Sequence, residues 1–205
     1  MLKFAQLSAS LQDVQAGFML SEIKERWSPR AFASEKLTEA QIELLLESAR
    51  WAPSCMNEQP WRFLVFERGT EAHEKAVTYL NGGNYWAKQA SHLILVCAHT
   101  RFAASGQPNR HAYYDTGAAV MALTLQAQHM GIYLHQMGGF DVEQLTQDLN
   151  FPEHAHPVAM VAVGFKSPDV SELSEKHQEL EKAPRQRKPL SEISHCNRFS
   201  LDGLF

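Results

Sequence analysis

The chain has 205 residues, 44% of them hydrophobic and 20% charged, with a formal net charge of −4. This is ample length for a buried core, and the charge argues against a protein that grips nucleic acid through a broad basic face. No apolar run reaches the roughly 20 residues of a membrane span. Gln6, Ser8, Gln12 and Asp13 interrupt the N-terminus too early for a signal peptide. The three cysteines (Cys55, Cys97 and Cys196) form an odd, widely spaced set without a CxxC pair, so neither a disulfide framework nor a zinc site is expected, and a reducing cytoplasm fits best.

In chain order, Leu11, Val14, Phe18 and Ile23 are close to helical spacing over residues 10 to 25, with Gly17 weakening the pattern. Residues 26 to 37 lack periodicity and read as an ordered loop. Thr38 then caps a helix, with Gln41 completing a capping box. Ile42, Leu45, Leu46 and Ala49 form the stripe that buries this helix, which stops at Pro53. A polar turn (Ser54, Cys55, Met56, Asn57) leads through Gln59-Pro60-Trp61-Arg62 into a strand at 63–66. A weak helix near 70–80 and a polar turn at Asn81-Gly82-Gly83-Asn84 follow.

His92 to His99 is a continuous apolar run of strand length, the pattern of a central buried strand. Residues 111 to 130 form the longest helix, with Gly117, Ala118, Ala119 and Ala122 allowing close approach of neighbours and Gly131 as its stop. A short strand, Ile132–His135, ends at Met137-Gly138-Gly139-Phe140. Asp141 caps a brief helix to Leu149, and Pro157 to Phe165 is another buried strand. Residues 166 to 205 are charged, punctuated by proline and short of large apolar side chains until Leu190. Two readings stay open for them: a floppy tail, or an arm that wraps a partner subunit. All 205 residues read as a single domain.

Two arginine pairs stand out. Arg26-Trp27-Ser28-Pro29-Arg30 places two guanidinium groups and a hydroxyl on one loop, and Arg185-Gln186-Arg187 lies between Pro184 and Pro189. Guanidinium forks pair bidentately with phosphate and stay charged at any working pH. Singly, each pair reads as a solvated surface cluster. Other candidates carry less. His73, His92, His99, His111, His129 and His135 are scattered, and His154-Ala155-His156 reads as an exposed turn before Pro157. Cys55 as a nucleophile has no base that the sequence names. Trp51, Trp61 and Trp86 read as core, and neither a GxGxxG nor a Walker loop is present.

Taken together, Arg26-x-Ser28-x-Arg30, followed some 25 residues later by Pro53-Ser54-x-x-Asn57-x-Gln59-Pro60-Trp61, resembles the pattern of the flavin-dependent nitroreductase family in order and spacing. The resemblance runs from about residue 22 to 193. It implies an α+β fold with a central, mostly antiparallel sheet enclosed by helices, and a C-terminal arm over 166–205 exchanged in a homodimer. It further implies two FMN sites at the subunit interface. One subunit would supply Arg26, Trp27, Ser28, Arg30, Asn84, Lys88, Gly138, Gly139, Arg185 and Arg187. The other would supply Pro53, Ser54, Cys55 and Asn57.

In this resemblance the arginines and Ser28 serve the phosphate, ribityl chain and pyrimidine edge. Asn84 and Lys88 would bond the pyrimidine, at a spacing one residue off the usual one. Gly138-Gly139-Phe140-Asp141 looks like the family's Gly-Phe-Asp turn, whose backbone N–H approaches the ring; many members have glutamate where Gly138 stands, and Cys55 replaces a frequent serine. The activity implied is ping-pong hydride transfer from NADH or NADPH, as co-substrate, to nitroaromatic, quinone or similar electron-poor acceptors. No acid or base residue is named as catalytic, since the cofactor carries the chemistry. Two rivals are a relative with other flavin chemistry (dehalogenation, flavin fragmentation) and a flavin-binding or regulatory protein with negligible turnover. No metal, nucleic acid or membrane partner is expected.

Overall fold

The computed structural model describes residues 19–194. The expected helix over 10–25 therefore lies partly outside the described residues, and so does Cys196. Within them, helix α1 runs Ser21–Glu25.

Four strands form one sheet: β1 (Trp61–Glu67), β2 (His92–His99), β3 (Tyr133–Met137) and β4 (Ala155–Gly164), ordered β1-β2-β4-β3 with every neighbouring pair antiparallel. The two apolar runs, β2 and β4, are the central strands, with Ile94 opposite Val161. Successive side chains of a strand point to opposite faces. Leu93, Leu95, Cys97, Met160 and Ala162 therefore enter one core, and Ile94, Val96, Val161 and Val163 enter the other. Both faces are covered along β2 and the second half of β4, which is why these antiparallel stretches are almost continuously apolar; the first half of β4 is only partly covered.

Strand β4 begins at Ala155, two residues before the expected Pro157. Its register with β2 shifts between Val96 and Cys97, where Pro157 pairs, and the bulge accommodates a residue that has no N–H for the ladder. His156 is exposed as expected but belongs to β4 rather than to a turn, whereas His154 lies in the turn just ahead of the strand.

Helix α2 (Glu39–Arg50) carries the expected capping box. Thr38 Oγ1 accepts from Gln41 N–H, Gln41 Oε1 accepts from Thr38 N–H, and Ile42, Leu45 and Ala49 are buried. Trp51 departs from expectation. Trp61 and Trp86 are core residues, but Trp51 is 75% exposed; it follows the last helical turn off the buried stripe, donating its indole N–H to Glu47 beneath Arg50. Helix α3 spans Glu71–Thr78 and α4 Ala112–His129. Helix α5 spans Val142–Asp148, with Asp141 Oδ1 accepting from Gln144 N–H at 2.9 Å. The 81–84 turn continues as a 3-10 stretch over Gly82–Gln89.

Through residue 187 the segment after Gly164 is neither free nor floppy. Ser167 N–H donates to Ala31 O at 3.0 Å and Ala33 N–H to Phe165 O at 2.8 Å, so the chain pairs with its own early loop. Leu173 is buried, helix α6 (Glu175–Lys182) begins at Ser174, and Ser174 N–H donates to the Tyr85 hydroxyl at 2.8 Å. Few large apolar residues are needed, because polar contacts to the early loop anchor the segment. A short helix α7 (Leu190–Ile193) follows.

Candidate functional site

The two arginine pairs meet. The 26–30 loop leaves α1 with Arg26 Nη1 donating to Ser28 Oγ at 2.9 Å. Behind it, His135 on β3 bonds through Nδ1 to Pro29 O at 3.0 Å and lies 4.5 Å from the Trp86 ring. From the other side the 183–187 segment returns. The Arg185 guanidinium donates to the carbonyl oxygens of Lys24 and Arg26 and lies over the Trp27 ring. The result is a cleft of about 300 Å³ lined by Arg26, Trp27, Ser28, Arg30, His135, Leu180, Ala183, Pro184, Arg185, Gln186 and Arg187.

No carboxylate belongs to that lining. Burial, then the charge of Arg185, then that of Arg187, pushes the Arg26 guanidinium below its ordinary value. Like charges held this close favour an anion between them. The Trp27 indole N–H is buried without an acceptor among the described residues. These features fit a phosphate: forks for a dianion and a spare donor at the wall. His135 adds no charge, because burial pushes it down to about 4 and keeps it neutral near pH 7.

A second part of the site continues along β3. Gly138 and Gly139 follow directly after Met137, where β3 ends, and Phe140 N–H donates back to Gly138 O across the turn. Gly139 O accepts from Asn84 Nδ2 at 2.8 Å and from Asn81 N–H at 3.1 Å. A Cβ on Gly139 would stand 3.0 Å from Asn84 Nδ2, whereas one on Gly138 would meet nothing within 4 Å. The expectation that Asn84 and the glycine turn act together therefore has a geometric basis. Lys88 faces elsewhere. It lines a separate cleft of about 370 Å³ with Tyr85, Gln89, Asp169 and Glu172, and Arg30 borders both clefts.

The third part stands apart from the first two. Ser54 Oγ accepts from Gln59 N–H at 2.9 Å, and Cys55 N–H donates to Asp115 Oδ2, on α4, at 3.0 Å. Met56, Asn57 and Gln59 all have φ between 52° and 56°, a region non-glycine residues seldom enter. Pro53 and Asn57 are exposed. The hydrogen bonds found for Pro53–Asn57 run within the turn and to α4, not to the arginine cleft. Within one chain the structure does not unite this turn with Arg26 and Arg187.

Three residues have a place at the site that the sequence reading did not assign. His135, read only as the end of a short strand and one of the scattered histidines, could have been noticed by period two, since it shares a strand face with Met137. Glu181, bonded to Arg30, and Asp115, bonded to Cys55, carry no local signal: each acts across a long stretch of chain.

Comparison with known proteins places the fold in a family. A profile of the nitroreductase family matches residues 23–83 and 69–165. An uncharacterised 15.4 kDa protein of Mycolicibacterium smegmatis is 36% identical over 149 residues, covering 67% of this chain and 97% of its own. The oxygen-insensitive NAD(P)H nitroreductase of Salmonella typhimurium is 33% identical over 88 residues, 40% of each chain. A solved structure described as an oxidoreductase containing FMN superposes with a TM-score of 0.83 at 32% identity, over 89% of this chain and 93% of its own. The fold is the nitroreductase fold, and this chain belongs to the nitroreductase family.

Proposed function

We propose that this protein is an FMN-dependent oxidoreductase that takes hydride from NADH or NADPH and passes it to electron-poor acceptors such as nitroaromatics or quinones. The observation that carries this reading is the cleft in which Arg26, Arg185 and Arg187 converge without a lining carboxylate. Relatives named for NAD(P)H nitroreduction and for bound FMN support it. When bound, FMN would supply the hydride chemistry. The chain's own residues would hold and orient it: the arginines and Ser28 at the phosphate, Trp27 through its spare indole N–H, Asn84 and Gly139 toward the ring.

The site would be completed by a second copy. Leu44, Trp51, Met56, Tyr113, Tyr114 and Met121 are all exposed on or beside α2 and α4. Large apolar side chains gathered on one side mark an interaction surface. The turn at 53–57 is tied to that side by Asp115. A partner docked there would place its Pro53, Ser54, Cys55 and Asn57 against the cofactor held by this chain. Exchange of the segment beyond residue 187 belongs to the same proposal.

The test is anaerobic titration of the flavin-loaded protein with NADH and with NADPH, followed by an acceptor panel. Loss of the flavin's visible absorbance on titration, and its return with an acceptor, supports the reading. Bound flavin that neither nicotinamide reduces would leave a flavin-binding protein without this turnover.

A further inference from the structure

Charge around the arginine cleft is unevenly distributed. Arg26 is crowded by Arg185 and Arg187. Arg30 is not. Its Nη1 lies 3.3 Å from Glu181 Oε1, and its backbone N–H donates to the same oxygen at 2.9 Å. The Glu181 side chain is 4% exposed, and its Oε2 has no partner among the described residues. A buried carboxylate is costly unless a cation accompanies it, so the pair is fixed, with Arg30 lining the cleft and Glu181 buried behind it.

The ion pair has two physical consequences. At a distance the two charges cancel, so Arg30 adds little to the field that attracts a phosphate. At contact range the guanidinium keeps N–H groups that Glu181 does not use, and these stay directional donors for a neutral acceptor. The bond to the Arg30 backbone also fixes the loop from which that side chain springs.

We propose that Glu181 is a positioning residue: by pairing with Arg30 it divides the four arginines into three that answer the cofactor's phosphate and one that answers its uncharged part. The proposal rests on the FMN reading given above. Helix α6 is held independently at its other end, where Ser174 N–H meets the Tyr85 hydroxyl and His177 stacks on the Tyr85 ring at 5.9 Å. Glu181→Gln, which keeps an acceptor oxygen for the Arg30 N–H, therefore removes the charge without releasing the helix.

The experiment titrates flavin-free protein with FMN and with riboflavin, which lacks the phosphate, and follows flavin fluorescence. Glu181→Gln and Arg30→Ala are each expected to weaken riboflavin roughly three- to thirtyfold. The ratio of FMN to riboflavin affinity rises in Glu181→Gln, which leaves Arg30 an uncompensated cation, falls in Arg30→Ala, which leaves Glu181 an uncompensated carboxylate, and returns to the parent's in the double variant. The double variant is expected to bind no more weakly than Arg30→Ala alone, since the two act as a unit. A merely structural role for Glu181 would loosen the arm and carry Arg185 and Arg187 away. FMN affinity would then fall while riboflavin affinity held, and that result overturns the proposal. Unchanged binding of both ligands, or additive losses in the double variant, overturns it too. If Glu181→Gln does not fold, the double variant against Arg30→Ala decides: a ratio restored toward the parent's supports the proposal, and one left as in Arg30→Ala overturns it. A parent protein that takes up neither flavin refutes the cofactor reading itself, which separates the two failures.

Discussion

Arg185 stands 5.7 Å over the Trp27 ring while its guanidinium donates to the carbonyl oxygens of Lys24 and Arg26. One side chain thus reaches the last carbonyls of helix α1, a place where a cation is favoured, and brings the late segment onto the early loop. That contact turns two unremarkable surface clusters into one cleft.

Loss of a phosphate ligand should be selective. Arg26→Ala and Arg187→Ala are each expected to weaken FMN about ten- to a hundredfold, the range of a hydrogen bond to a charged group, and to leave riboflavin binding nearly unchanged. Fluorescence titration with the two flavins checks this. Equal FMN affinity in parent and variants would remove the phosphate assignment.

Stability should fall as pH drops below neutrality. His135 is pushed from 6.5 to about 4 by burial, so the unfolded chain binds a proton at a pH where the folded one does not. The contribution is complete above pH 6.5, declines between 6.5 and 4, and amounts to roughly 3 kcal/mol for this residue. His73 and His92 are lowered in the same direction, again chiefly by burial. Urea unfolding at pH 7 and pH 5 should show the loss in the parent and a smaller loss in His135→Gln. An equal loss in both would show that His135 does not drive it.

The glycine turn should discriminate between its two residues. A methyl at 139 meets Asn84 at 3.0 Å, and one at 138 meets open space. Gly139→Ala is expected to cost about 1–2 kcal/mol, lowering Tm by roughly 2–8 °C, and Gly138→Ala to leave Tm nearly unchanged. Thermal unfolding of flavin-free protein measures both, and equal shifts would contradict the geometry.

Ending the chain at Lys166 removes Arg185 and Arg187 together with Glu181. Flavin occupancy and dimer stability should both fall. In the intact protein, added FMN should move the monomer–dimer balance toward dimer, because a ligand that binds only the assembled state stabilises it by mass action. Sedimentation of flavin-free and loaded protein across a dilution series tests this. A monomer with a full complement of FMN would refute the shared site.

What the sequence determined by itself is local in physical range. The Thr38–Gln41 capping box, the buried stripe of α2 and the helix over Ala112–His129 depend on neighbours three or four residues apart. The apolar runs of β2 and of the second half of β4 reveal two-sided burial because those positions are covered on both faces. The signature at 53–61 and the paired arginines were legible as residue types at set spacings. Contacts between distant segments were not. That Arg185 joins Arg26 and Glu181 joins Arg30, that Asp115 fastens the 53–57 turn, and that Trp51 faces solvent were decided only when the sheet order β1-β2-β4-β3 had set which segments lie side by side. A guanidinium or a carboxylate carries the same charge wherever it stands in the chain; its partner, its burial and hence its task come from what tertiary packing brings within about 4 Å of it.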